Sequence, residues 1–256
     1  MGSAPIHGFL LDLDGVFYVE GDLIPGAIDA LSMLNQRNIP YRFVTNTTTQ
    51  SSAVLRQKLV ELGIPCALEQ LITAPVATAG YLAGKGFQNC YFAVNESVFE
   101  DFSRFAQCED RPEAVVVGDI GKAWSYALVD KLFGFIVNGA ELVAMHRNKY
   151  WQKTGGLHVD IGAFVAGLEY VADVRARITG KPSAAFFDTA IASLGVPATN
   201  VVLVGDDIRS DIGGAQDVGI RSVLVETGKF RADLVARSGI TPDWQLASVA
   251  ELASIL

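Results

Sequence analysis

The sequence predicts an α/β protein built on a mostly parallel sheet covered on both faces. Three observations predict it. Short unbroken apolar runs such as "GFLL" and "NVVLV" read as strands buried on both sides. Longer stretches with helical apolar spacing alternate with those runs, as crossover connections require. The runs then break into Asp, Asn and Gly, so polar side chains collect at strand ends.

In chain order, "GFLL" is the first strand, and "AIDALSMLNQRN" follows as a helix with Pro25 near its start. "PYRFVTN" is the second strand, and "SSAVLRQKLVELG" is a helix closing on Gly63. Residues 74–175 repeat the grammar with different punctuation. "NCYFAV" and "AVVVGD" read as strands there, "AWSYALVDKLFGFIVNG" and "GAFVAGLEYVAD" as helices. A second α/β unit inserted into the first is therefore expected, with 1–73 and 176–256 forming the outer unit. In the last part "ARITG" reads as a strand and "PSAAFFDTAIASLG" as a helix, and "NVVLVGDD" is the clearest buried strand. A short helix "DIGGAQDVG", a strand "RSVLVETG" and a closing helix "SVAELASIL" complete the chain.

Composition narrows the function. The 256 residues carry a net charge of −8, against the basic stripe that a nucleic-acid partner wants. Three cysteines without a C-x-x-C pair favour reduced thiols, and no run is long enough to span a bilayer, so a cytoplasmic protein is expected. His7, His146 and His158 lack zinc spacing and are expected to be structural or on the surface, with facing substrate the alternative for His158 in "GGLHVD". Trp124, Trp151 and Tyr126 are expected to pack, and Asp119 to cap a turn.

Ligands of open parallel sheets bind outside the carboxyl ends of the strands. Asp12 and Asp14 follow the first strand, Thr45 and Asn46 the second, and Lys181 follows "ARITG". Asp206 and Asp207 follow "NVVLVG", with Asp211 a turn later. Asp12 and Asp14 stand at i and i+2, one face of a strand, and two like charges so close repel unless a cation intervenes. Mg²⁺ takes one or two carboxylates plus waters and phosphate oxygens, so Asp12, Asp14 and Asp206 form a metal site that also receives a phosphate. In that arrangement Asp12 attacks phosphorus and Asp14 acts as acid and base. Thr45, Asn46 and Lys181 meet phosphate oxygens.

"DLDGV", "FVTNTT", "GKP" and "GDDIRSD", in this order, resemble the four motifs of the haloacid dehalogenase superfamily. The long insert between the second and third resembles its class II, NagD-like branch. The match covers essentially the whole chain, and "GLHVDIGAFVAGLEY" and "TGKFR" add to it. The resemblance implies a Rossmann-like core and, over residues 74–175, an α/β cap that chooses the substrate. It implies an aspartyl-phosphate on Asp12, and Mg²⁺ held by the Asp12 carboxylate, the Asp14 main-chain carbonyl and Asp206. Asp207 and Asp211 are implied in the outer shell that orients ligands. A small phosphorylated substrate and a homodimer through the cap are implied as well. Phosphotransfer to an acceptor other than water, or a non-catalytic module that only holds metal and phosphate, are the competing functions.

Overall fold

The computed structural model describes residues 5–153 and 156–256, and the side chains of these outside 151–157. The chain divides into two compact units, one of residues 1–45, 55–72 and 181–256, the other of 46–54 and 73–180.

The first unit holds a six-stranded sheet in the order Trp244–Leu246, Arg221–Val225, Val201–Gly205, Gly8–Asp12, Tyr41–Thr45, Leu71–Thr73. Gly8–Asp12 and Val201–Gly205 are buried at every position, which a sheet achieves only with both faces covered. Phe9 and Leu11 point into a cluster with Leu31 and Leu34 of the helix Ala27–Gln36, Leu55 and Leu59 of the helix Ser52–Glu61, and Val249 and Leu252 near the C-terminus. Gly8 belongs to the opposite face and abuts Leu194 of the helix Ala184–Leu194, where a Cβ on Gly8 would stand 2.8 Å from the leucine side chain.

Gly8–Asp12 runs parallel to both its neighbours, with Asp12 beside Val44 and Leu11 beside Val204. The register puts Asp12 level with Gly205 and sets Thr45 and Asp206 one residue further along the same edge. Three strand ends thus deliver their polar residues side by side.

The second unit holds a parallel five-stranded sheet in the order Arg177–Ile178, Glu141–Ala144, Ala114–Val117, Asn89–Ala93, Ala106–Gln107. This corrects the reading of "ARITG" as a strand of the first sheet: Arg177 and Ile178 pair with Val143 and Ala144. The motif is too short to show which sheet it joins. Trp124 stacks on Phe164 at 4.1 Å between ring centroids. Tyr126 is 87% exposed, so the expectation that it packs is wrong, while the Trp151 side chain lies outside those described. His146 is buried, with Nε2 4.0 Å from Asp160 Oδ1, and His7 and His158 are exposed. Asp119 closes a turn by accepting from the Gly121 amide. No described helix is long and apolar enough to cross a membrane.

Candidate active site

Asp12 is buried at the carboxyl end of its strand, and its Oδ1 accepts from Lys181 Nζ at 2.7 Å. The same ammonium stands 2.6 Å from Asp211 Oδ1 and 3.5 Å from the Val44 carbonyl oxygen. Burial works against the lysine's charge, but attraction to Asp12 and Asp211 outweighs it and holds the proton more firmly than water would. Asp211 packs against Gly205, where a Cβ would lie 2.4 Å from the Asp211 Cβ, and its Oδ2 accepts from the Asp207 amide at 3.1 Å. Burial pushes the Asp211 carboxyl up to about 6 against the pull of Lys181, with Asp12 and Asp207 adding to the rise.

Asp206 is buried, and its Oδ2 accepts from the Lys229 amide at 2.7 Å. Its Oδ1 is buried with no hydrogen-bond partner among the described residues. Burial and then repulsion from Asp12 hold this carboxyl well above the usual range, Lys229 opposing. Asp12, Asp206 and Asp211 each offer an oxygen within 4.8 Å of the others. A buried acceptor without a donor, beside two more carboxylates, fits a hard cation with oxygen ligands.

The remaining expected residues divide. Thr45 is buried at the end of the strand beside Asp12. Asn46 is part of the second unit, where its Oδ1 lies against Gly180. Asp14 is exposed and bridges to Tyr18, whose phenol is pushed up by burial and by the charges of Asp14 and Asp12. The Asp14 carboxylate is not part of the three-oxygen cluster, and Asp211 is. Asp207 caps the turn Ile208–Gly213, accepting from the Arg209 and Ser210 amides.

The loop after Arg221–Val225, whose "TGKFR" enters the sequence reading only as part of the resemblance, receives no place in the site there. Thr227 Oγ1 donates to the Gly15 carbonyl, and Gly228 packs on Gly15, where an added Cβ would stand 2.4 Å from the Gly15 Cα. Lys229 follows. The residue is exposed; desolvation opposes the charge of its ammonium, and attraction to Asp206, then Asp12, Asp207 and Asp211 more than restores it. The strand-end rule that found the other four segments applies here too, since this loop leaves the carboxyl end of a buried strand.

Gly15 has a φ of 86°, and a Cβ there would stand 1.8 Å from Asp206 Oδ2. Gly15→Ala is expected to cost more stability than Gly21→Ala, whose φ of 96° is as unfavourable but which has nothing within 4 Å. Backbone strain costs about 1–3 kcal/mol in either variant. The excess for Gly15, read by urea denaturation, measures the displacement of Asp206. Equal losses would show that the Gly15 contact is soft.

Two family models match the sequence, a haloacid dehalogenase-like hydrolase model over residues 9–107 and a HAD-hydrolase-like model over 178–252. The human haloacid dehalogenase-like hydrolase domain-containing protein 2 is 36% identical over 227 residues, 89% of this chain and 86% of the relative. The human phospholysine phosphohistidine inorganic pyrophosphate phosphatase is 32% identical over 259 residues, 99% of this chain and 95% of the relative. The crystal structure of a 4-nitrophenylphosphatase from Thermotoga maritima superposes with a TM-score of 0.91 at 26% identity, covering 97% of each chain. The strand-end motifs, the sheet that aligns them and these matches over nearly the full length have one reading: the chain belongs to the haloacid dehalogenase-like hydrolases.

Proposed function

We propose that the protein is a Mg²⁺-dependent phosphatase that hydrolyses a small phosphorylated substrate through an aspartyl-phosphate on Asp12. The observation that carries this reading is the meeting of carboxylate oxygens of Asp12, Asp206 and Asp211 within 4.8 Å of one another, with Asp206 Oδ1 buried without a hydrogen-bond partner among the described residues and Lys181 fixed against Asp12. Two relatives bear the names of phosphatases, one of phospholysine, phosphohistidine and pyrophosphate, the other of 4-nitrophenyl phosphate.

In this reading Asp12 and Asp206, with the Asp14 main-chain carbonyl, would hold Mg²⁺, which when bound would offset their charge and polarise a phosphate oxygen. Lys181 fixes Asp12 in one rotamer, so the attacking carboxylate needs little reorganisation. Asp12 forms a bond to phosphorus while the bond to the leaving oxygen breaks, and Asp14, open to solvent, gives that oxygen its proton. Asp14 then takes a proton from water, whose oxygen attacks phosphorus and frees Asp12. Thr45 and the next residue, Asn46, donate to phosphate oxygens, and Asp211 holds Lys181 in place. The second unit is the inserted cap that chooses the substrate. A cytoplasmic setting, with Cys66, Cys90 and Cys108 reduced, belongs to the same reading.

Phosphate release from p-nitrophenyl phosphate tests it. Turnover is expected with Mg²⁺, and near-complete loss in EDTA that added Mg²⁺ reverses. Equal turnover in EDTA would overturn the metal-dependent reading.

A further inference from the structure

Lys181, which the sequence reading sets against phosphate oxygens, has most of its donors engaged by the protein itself. Its ammonium already faces Asp12, Asp211 and the Val44 carbonyl. Lys229 is in the opposite condition. Among the described residues its ammonium makes no hydrogen bond and no ion pair within 4 Å, and the residue is open to solvent.

Its backbone is nonetheless tightly placed. The Lys229 amide is bonded to Asp206, and the preceding Gly228 and Thr227 are fastened to Gly15. A long, flexible cation thus starts from a fixed point at the carboxylate cluster and ends without a hydrogen-bond or ion-pair partner among the described residues. With a divalent cation bound, Asp12, Asp206, Asp207 and Asp211 would all be ionised and carry four negative charges, against two positive ones from Lys181 and Lys229. The remaining −2 is what a divalent cation cancels. Without Lys229 the loaded site would be net negative, and a phosphate dianion would be repelled.

We propose that Lys229 is a phosphate-binding residue, its ammonium donating to oxygens of the phosphoryl group at the Asp12–Asp206 site. The inference rests on the phosphatase reading for its place in a reaction, and not for the binding itself. It is a role in substrate binding, distinct from the positioning role of Lys181.

The test is titration calorimetry of the Mg²⁺-loaded full chain with inorganic phosphate, for wild type, Lys229→Met and Lys229→Arg. Loss of one charge-assisted hydrogen bond is expected to raise the phosphate Kd about 10- to 100-fold in the Met variant. The Arg variant is expected to recover most of the affinity. Mg²⁺ binding without phosphate, read by thermal shift, is expected to stay equal or tighten, because a neighbouring positive charge has gone. In turnover, KM for p-nitrophenyl phosphate should rise more than kcat falls. These opposed changes for the two ligands do not arise from a merely structural defect. An unchanged phosphate Kd, or a parallel weakening of both ligands, would overturn the proposal. A wild-type protein that binds phosphate through Lys229 but releases none from the ester would keep the proposal and remove the phosphatase reading.

Discussion

Asp12→Asn is expected to lower phosphate release by about 10³-fold or more, because the amide cannot serve as the nucleophile that every later step depends on. The change is nearly isosteric and removes one of the charges that push on Asp206 and Asp211. The variant should therefore remain folded while inactive. Circular dichroism and a thermal melt establish the first point, and an end-point phosphate assay the second. Wild-type turnover by the folded variant would remove Asp12 from its role. An aspartyl-phosphate makes a further distinction: the wild-type protein, quenched in acid during turnover, should carry phosphate on the peptide containing Asp12, and the variant should carry none.

The second large effect concerns stability. Lys181→Met leaves Asp12 and Asp211 buried without their cation, and breaking such a pair from one side costs about 3–5 kcal/mol. The loss should depend on pH, with a sign that the carboxylates fix. Burial pushes the Asp211 carboxyl up to about 6 in the folded protein, against 3.8 as its ordinary value. The folded state therefore binds this proton more tightly than the unfolded one, and stability falls as pH rises from 3.8 through 6. Lys181 holds the rise in check, so its removal enlarges it. Urea denaturation in EDTA should show the variant's deficit largest at pH 8 and shrinking toward pH 5. A deficit equal at both values would mean that lost packing, rather than unpaired charge, is responsible.

Much of this arrangement can be read in the amino-acid sequence, and the exceptions have physical reasons. "GFLL" and "VVLVG" declare buried parallel strands because nothing polar interrupts them, and their ends locate Asp12 and Asp206 without further information. Trp244–Leu246 is a short edge strand with an exposed central Gln245, so its pattern resembles a loop. Glu141–Ala144 is four residues long and opens on a charged Glu141, so too little of an unbroken apolar run remains to declare a strand. "DIGGAQDVG" reads as one short helix, yet residues 208–213 form a wider π-helical turn, with Asp207 capping it, before the helix Gly214–Asp217 begins. Lys229 lies inside "TGKFR" but receives no role from it, because the pattern does not say which strand ends the loop meets; the contact of Gly228 with Gly15, between residues 213 positions apart, shows it.

The strand that bears Asp12 has one neighbour, Tyr41–Thr45, that leaves the ribosome soon after it, and another, Val201–Gly205, that comes very late. During synthesis the early strand therefore waits with one edge open while the whole second unit is made. Contacts of such long sequence separation form slowly, and an unpaired apolar edge invites association with other chains. The acidic edge residue limits that hazard: before its partners arrive, Asp12 is a solvated charge at the tip of an otherwise sticky segment. Nascent chains arrested before residue 201 should accordingly engage chaperones, and released full-length chains should not.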